Sequence, residues 1–426
     1  MKQRNCMIGQ SGGPTTAINA SLAGVIKEAM DSLVFQTIYG AVYGVEGLLN
    51  GNYIKLSSIF NDTQLLETLK LSPSMYLGSC RYKLPPLPKN KDTKISEYEA
   101  IFSLLNALSI TDFFYIGGND SMDSVMKLTS YAALHQIPIQ FIGIPKTIDN
   151  DLYGTDHTPG FGSAAKFVAT SMLEIIHDSM FYNTDSVTIV EIMGRNAGWL
   201  TAAASLARSE GQAAPHLIYL PEVPFDVASF LGEIKELRKT TQNIIIAVSE
   251  GIHDKDGNFI DDGILDMGEE NNTVSHKTDA FGHVIHEGTG KSLERLVKNT
   301  FGCKCRSIEL NVLQRCALHI SSKTDLEEAF WIGQAAVKAS LSGASGVMMT
   351  LKRLSSSDGS YQTEIETISI NEIANVEKKV PLSWISKSGT DITEEFYEYL
   401  LPLIEGEVTT HYHNGLPSYI DVCHLK

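Results

Sequence analysis

Four short polar stretches in this sequence carry residue types suited to handling an anionic group. The first is Ser11-Gly12-Gly13-Pro14-Thr15-Thr16. Paired glycines let a backbone approach a ligand, and a helix N-terminus offers unpaired N–H groups to an anion. The stretch lacks the third glycine of a dinucleotide-binding fingerprint. The second, Gly117-Gly118-Asn119-Asp120-Ser121-Met122-Asp123, adds an amide and carboxylates at a helix start, where acids serve either as caps or as ligands. The third is Pro145-Lys146-Thr147-Ile148-Asp149-Asn150-Asp151. A lysine among acids and an amide reads as a salt-bridge network, or as a phosphate clamp beside a general base and a metal ligand. The fourth, Glu191-Ile192-Met193-Gly194-Arg195-Asn196-Ala197-Gly198-Trp199, holds an arginine between glycines. Such an arginine either presents its guanidinium to a phosphate or bonds the last carbonyls of a nearby helix.

Each stretch follows a short apolar run, and that placement gives the pattern its meaning. Strands are expected at Cys6–Gln10, Val34–Tyr39, Asp112–Ile116, Ile139–Ile144, Ser186–Ile192, His216–Leu220, Asn243–Ser249, Ser307–Leu310 and Gly346–Leu351. Helical periodicity is clearest over Thr15–Met30, Asp120–His135, Ser163–His177 and Asp325–Leu341, with a further helical pattern at Tyr397–Leu403. Alternating strands and helices specify an α/β fold with parallel sheets. Polar turns at the carboxyl ends of such strands converge on one crevice, where open α/β sheets bind ligands. Residues 83–92, rich in Pro and Lys, read as a surface loop, and the acidic, Gly/Asn-rich stretch 251–278 as a long excursion. Gly288-Thr289-Gly290-Lys291-Ser292 contains the Gly-Lys-Ser of a P-loop, but Ile285 stands where its first glycine is required.

The chain has 426 residues, 34 basic against 50 acidic side chains for a formal charge of −16, and 43% hydrophobic residues. That length supports a large core and two or three domains. Net acidity argues against nucleic-acid and membrane-surface partners, which require a basic face. Any anionic ligand must then be met by a local cluster of Lys and Arg. The six cysteines are scattered, with Cys303 and Cys305 the only close pair, and are expected to be ordinary reduced thiols. The N-terminus lacks the apolar core of a signal peptide, and no apolar run is long enough for a membrane helix; a cytoplasmic protein is expected.

Taken together, these motifs resemble the phosphofructokinase family, its pyrophosphate-dependent branch in particular. The resemblance runs from Ile8 to about Met349 and returns in Phe396–Glu407, with Pro-Lys-Thr-Ile-Asp-Asn-Asp and Met-Gly-Arg its most specific parts. It implies two Rossmann-like parallel-sheet domains with the active site in the cleft between them. Residues 1–160 and about 315–385 would form a phosphoryl-donor domain, and 161–314 with about 386–426 a sugar-phosphate domain. The implied reaction is reversible, Mg²⁺-dependent phosphoryl transfer from pyrophosphate to the 1-hydroxyl of fructose 6-phosphate, giving fructose 1,6-bisphosphate and phosphate. By that resemblance Asp149 is the general base, Asp151 supports it, and Thr147 binds the transferring phosphoryl, whose charge Lys146 and Arg195 neutralise. Ile148, Met193, Gly194 and Glu250 line the sugar site, and Arg306 and Arg315 grip its phosphate. Gly13, Arg81, Asp120 and Ser121 belong with Lys146 to the donor site. ATP-using relatives typically carry glycine at the positions of Asp120 and Lys146. A carboxylate at 120 occupies the space of an ATP α-phosphate and repels it, which favours pyrophosphate.

Three residues depart from the family pattern. Asn119 stands where a metal-binding Asp is usual, Ser186 where many relatives lend an Arg to a neighbouring subunit, and Val312 where a His or Tyr touches the sugar. They keep open a non-catalytic regulatory subunit; an ATP-dependent phosphofructokinase or a related sugar-phosphate kinase is the other alternative. Because family sites borrow residues across subunits, the resemblance also implies a homo-oligomer, a dimer or tetramer.

Overall fold

The computed structural model describes residues 4–87, 96–181, 183–208, 212–260, 288–355 and 360–425. Most of the anticipated 251–278 excursion and the second half of the 83–92 loop lie outside the described residues.

Two sheets form the framework, as the alternation of apolar runs and helical patterns requires. The larger has seven strands: β1 (Arg4–Gln10), β2 (Phe35–Ala41), β3 (Tyr53–Lys55), β4 (Ile110–Gly117), β5 (Gln140–Pro145), β10 (Val347–Arg353) and β11 (Thr363–Ser369). Their order is β11-β10-β5-β4-β1-β2-β3, with β2, β1, β4, β5 and β10 parallel and the two edges antiparallel. The smaller sheet is wholly parallel, in the order β7 (Leu217–Tyr219), β8 (Asn243–Ser249), β6 (Ser186–Ile192), β9 (Lys304–Glu309). Strands buried on both faces read as unbroken apolar runs, which is why Ile110–Gly117 and Asn243–Ser249 are legible in the sequence. The edge strands β3 and β11 were not anticipated; β11 is a half-exposed alternation, Thr-Glu-Ile-Glu-Thr-Ile-Ser, and β3 has only three residues.

Sheet order positions the site. In the larger sheet β1 lies between β2 and β4, so chain direction across the sheet reverses at the β1/β4 pair. Register places Gln10 beside Ile116 and Gly117 beside Pro145, so three of the four polar turns leave the sheet side by side. In the smaller sheet β6 lies between β8 and β9, with Ile192 beside Ser249 and Glu191 beside Glu309. The Met193–Arg195 turn, Glu250 and the 310–315 turn therefore also emerge together. Ligands of open α/β sheets bind at such reversals.

Helices α1 (Ile18–Asp31), α2 (Asn119–His135), α3 (Phe161–Met180), α4 (Thr289–Phe301) and α5 (Lys323–Leu341) cover the sheets. No described helix is long and apolar enough to cross a membrane. Of the C-terminal stretch, Phe396, Tyr399, Leu400 and Leu403 join the core that includes β6 and Trp199. Beyond it the chain returns to the larger sheet's side, where the Ile420 N–H donates to Ser72 Oγ and the His424 ring lies tilted with its centre 4.4 Å from that of Tyr76.

Helices α1 and α5 touch backbone to backbone because both carry glycine at the crossing. A Cβ on Gly24 would lie 2.0 Å from the Phe330 carbonyl oxygen, and one on Gly333 2.2 Å from that of Ser21. Neither helix has slack, so Gly24→Ala should destabilise the fold by about 1–3 kcal/mol through overpacking. Calorimetry should show a lowered unfolding midpoint; an unchanged midpoint would mean that the helices separate without cost.

Candidate active site

The carboxyl ends of the two sheets face one another across a cleft of about 590 Å³. Lys146 is buried on the larger-sheet side. Its residue is only 2% exposed, its backbone N–H donates to the Gly117 carbonyl (3.0 Å), and its Nζ donates to the Gly13 carbonyl (2.6 Å). The first and second polar turns are thus both tied to the third. Gly12 adopts φ +82°, and a Cβ there would come within 3.2 Å of the Lys146 ammonium, so glycine leaves that ammonium its place. Ser121 Oγ hydrogen-bonds Ser11 Oγ (3.1 Å), fastening the start of α2 to the β1 turn.

The Asp149 and Asp151 carboxylates flank Asn150, whose backbone is left-handed at φ +54°. Thr147 Oγ1 accepts the Asp149 N–H (3.1 Å), and Asn150 Oδ1 accepts the Thr158 N–H (3.1 Å). These bonds make a tight turn that aims both acids into the cleft. Burial, and then the charge of Glu250, raises the Asp149 carboxyl above the usual range. Burial, followed by Asp149 and Glu377, does the same to Asp151. Burial also lowers the Lys146 pKa to about 8, against the pull of both aspartates.

On the opposite wall, Gly194 takes φ +131° and its N–H reaches Glu250 Oε1 (3.4 Å), while Ser249 Oγ donates to the Gly194 carbonyl (2.7 Å). Met193 and Arg195 line the cleft from this turn; Gly194 shapes it from behind. Burial raises the Glu250 carboxyl as well. Arg315 ends the short helix after β9 and extends across to the first turn, where a Cβ on Gly13 would lie 3.5 Å from its Nη1.

Of the residues singled out in the sequence, Gly13, Arg81, Asn119, Asp120, Ser121, Lys146, Thr147, Ile148, Asp149, Asp151, Met193, Arg195, Glu250 and Arg315 meet in this cleft. Arg306 does not. It pairs with Thr188 in mid-strand, well below the strand ends, and faces α3 in a separate groove, with Nη2 3.5 Å from Asp178 Oδ2. Ser186 begins β6, at the end away from the cleft, and its hydroxyl donates to Asn243 Oδ1 (2.7 Å). Val312 is half exposed and does not line the cleft. Lys83, Asn196, Asn375 and Glu377 also line it, and the sequence reading did not single them out. Lys83 and Asn196 adjoin recognised motifs, whereas Asn375 and Glu377 follow the unanticipated β11 without any glycine-rich turn.

The cations Arg81, Lys83, Lys146, Arg195 and Arg315 share the cleft with the carboxylates Asp120, Asp149, Asp151, Glu250 and Glu377. In a chain of net charge −16 this cleft balances its carboxylates with an equal number of cations, a local arrangement suited to an anionic ligand beside acids able to move a proton. Among the described residues no three His, Cys, Asp or Glu side chains are grouped to hold a metal. Asn119 Nδ2 donates to Asp151 Oδ2 (3.1 Å), while its buried Oδ1 has no hydrogen-bond partner. An orphaned amide oxygen beside carboxylates suits a hard cation that draws its remaining oxygens from phosphate and water.

Residues 5–308 match the family described as phosphofructokinase. The chain is 38% identical, over 100% of its own length and 97% of the other's, to a protein of Methylococcus capsulatus named pyrophosphate–fructose 6-phosphate 1-phosphotransferase. A Halomonas elongata protein of the same name is also 38% identical, over 98% and 96%. The crystal structure of a pyrophosphate-dependent phosphofructokinase from Nitrosospira multiformis superimposes with a TM-score of 0.85 at 37% identity, covering 98% of this chain and 95% of that one.

Proposed function

The chain belongs to the phosphofructokinase family, and from that premise we propose that it transfers a phosphoryl group reversibly between pyrophosphate and the 1-hydroxyl of fructose 6-phosphate. The observation that carries this reading is the convergence of Lys146, Asp149, Asp151, Arg195 and Asp120 in one cleft between the two sheets. The same reading gives the larger sheet the phosphoryl donor, and the smaller sheet, with Glu250 and the Met193–Arg195 turn, the sugar phosphate.

Asp149 takes the proton of the 1-hydroxyl as that oxygen attacks the phosphorus. Its raised pKa makes it a stronger base than an exposed aspartate. In reverse, the protonated Asp149 returns the proton to the sugar oxygen as the phosphoryl leaves for phosphate. Lys146 and Arg195 meet the charge on the phosphoryl oxygens from opposite walls, so the protein contributes mainly alignment and fixed charge. Arg81 and Lys83 hold the far phosphate of the donor. Asn119 Oδ1 and the Asp151 carboxylate would hold Mg²⁺, leaving Asp149 free as the base; when bound the ion would screen the charge on the phosphate oxygens. The position of Arg306, outside its own chain's cleft, favours a homo-oligomer in which it serves a neighbouring protomer's sugar phosphate.

Asp120 supports pyrophosphate as donor. It sits in the first turn of α2 and lines the cleft at the Lys146 side, where a nucleotide's additional phosphate and ribose would have to pass. A carboxylate there both fills the space and repels the charge.

Asp149→Ser should lower turnover about 10²–10⁴-fold, the range for a lost general base. Calorimetric titration should show fructose 6-phosphate still binding; near-normal turnover would remove Asp149 from the role of base. The double variant Asp120→Gly, Lys146→Gly should gain measurable ATP use while losing efficiency with pyrophosphate. A variant that gains no ATP use would show that other residues set the donor.

A further inference from the structure

Residues 375–378 cross the mouth of the cleft after β11 and touch it on three sides. Asn375 Nδ2 reaches Asp123 of α2 (3.4 Å), and Glu377 Oε1 accepts from Asn196 Nδ2 (2.7 Å) beside Arg195. Lys378 then turns inward. Its N–H donates to the Asp151 carbonyl (2.7 Å), and its Nζ donates to Asn150 Oδ1 (3.2 Å), the Thr155 carbonyl (3.2 Å) and the Asp156 carbonyl (2.6 Å). Three ammonium protons thus meet three oxygens, a fully used donor set. On its other side the Lys378 carbonyl accepts the Trp199 Nε1–H (3.0 Å), and its ammonium lies 5.0 Å from the centre of the Trp199 ring. Trp199 follows Arg195 by four residues and is anchored in the core of the smaller sheet.

We propose that Lys378 is a positioning residue for phosphoryl transfer, holding the Asp149–Asp151 turn in register with the Arg195 turn. It touches neither reacting atoms nor substrate. It acts through Asn150, the residue between the two acids, whose left-handed backbone depends on its side-chain bonds. Asn150 Oδ1 accepts from the Lys378 ammonium and the Thr158 N–H, and its Nδ2 donates to the Tyr399 hydroxyl. A non-glycine residue in that conformation persists only where its surroundings hold it. Base and guanidinium belong to different sheets, and Lys378 bonds the turn of one while bearing on the core of the other. Loss of this tie would misplace Asp149 relative to Arg195 without removing any group that binds substrate.

The inference rests on the proposed reaction, so wild-type turnover is established first; its absence would count against that reading, not against Lys378. Lys378→Met keeps the aliphatic length and removes the donors. It should fold, by far-ultraviolet circular dichroism, and lose kcat about 10²-fold, as expected for a misaligned reacting pair. KM for pyrophosphate and for fructose 6-phosphate should change less than about threefold under this alignment account. Lys378→Gln, which keeps two donors, should retain more kcat than the Met variant. Asn150→Ala should reproduce the split between kcat and KM, and Lys378→Met combined with Asn150→Ala should be no slower than the slower single variant. If Lys378→Met does not fold, Lys378→Gln and Asn150→Ala, alone and combined, make the same comparison. Folded variants with near-wild-type kcat, a loss confined to KM, or losses that multiply in the double variant would each overturn the proposal.

Discussion

The Lys146 ammonium is almost wholly removed from solvent, and a buried cation must be met by oxygens or carboxylates at close range. The cleft meets it with the Gly13 carbonyl and with the Asp149 and Asp151 charges. This arrangement requires three strand ends to lie level, which the β1–β4–β5 register provides. It also requires a glycine where a Cβ would crowd the ammonium. Burial in turn makes the aspartates better bases than they would be at the surface. Ammonium and acids each make the other's burial tolerable, and an incoming phosphate would share in the same balance.

The second sheet supplies what the first cannot. A guanidinium approaching the same point from the opposite wall needs its own strand reversal, and β6 between β8 and β9 gives it one. Chemistry of this kind depends on the relative placement of two rigid bodies more than on any single group. Residues 375–378 join the two sides of the cleft, Lys378 donating to the Asp151 carbonyl at one strand end and accepting from Trp199 in the core of the other sheet.

Much of this was legible from sequence because the relevant signals are local. A doubly buried parallel strand is an apolar run, and the turn after it must be polar and, where backbone crowds backbone, glycine. Hence the nine expected strands and the four turns were found near their places; the Gly-Lys-Ser at 290–292 lies in the first turn of α4, with Lys291 paired to Glu294. Residues 375–378 were not legible: their role comes from crossing between sheets, and Asn-Val-Glu-Lys has no local signature of that. Arg306 shows the converse. Its spacing from Arg315 gives no hint that one side chain lies in mid-strand against α3 while the other follows the strand end. The fate of Asn119 was likewise a matter of geometry, since only the fold reveals an amide oxygen left without a partner beside Asp151.

The cleft is proposed to pass a phosphoryl group between pyrophosphate and a sugar phosphate. The most direct measurement supplies the purified protein, with Mg²⁺, with fructose 6-phosphate and either pyrophosphate or ATP, and separately with fructose 1,6-bisphosphate and phosphate. Turnover with pyrophosphate, none of consequence with ATP, and formation of pyrophosphate in the reverse mixture are expected. Turnover with ATP alone, or silence with both donors, would contradict the proposal.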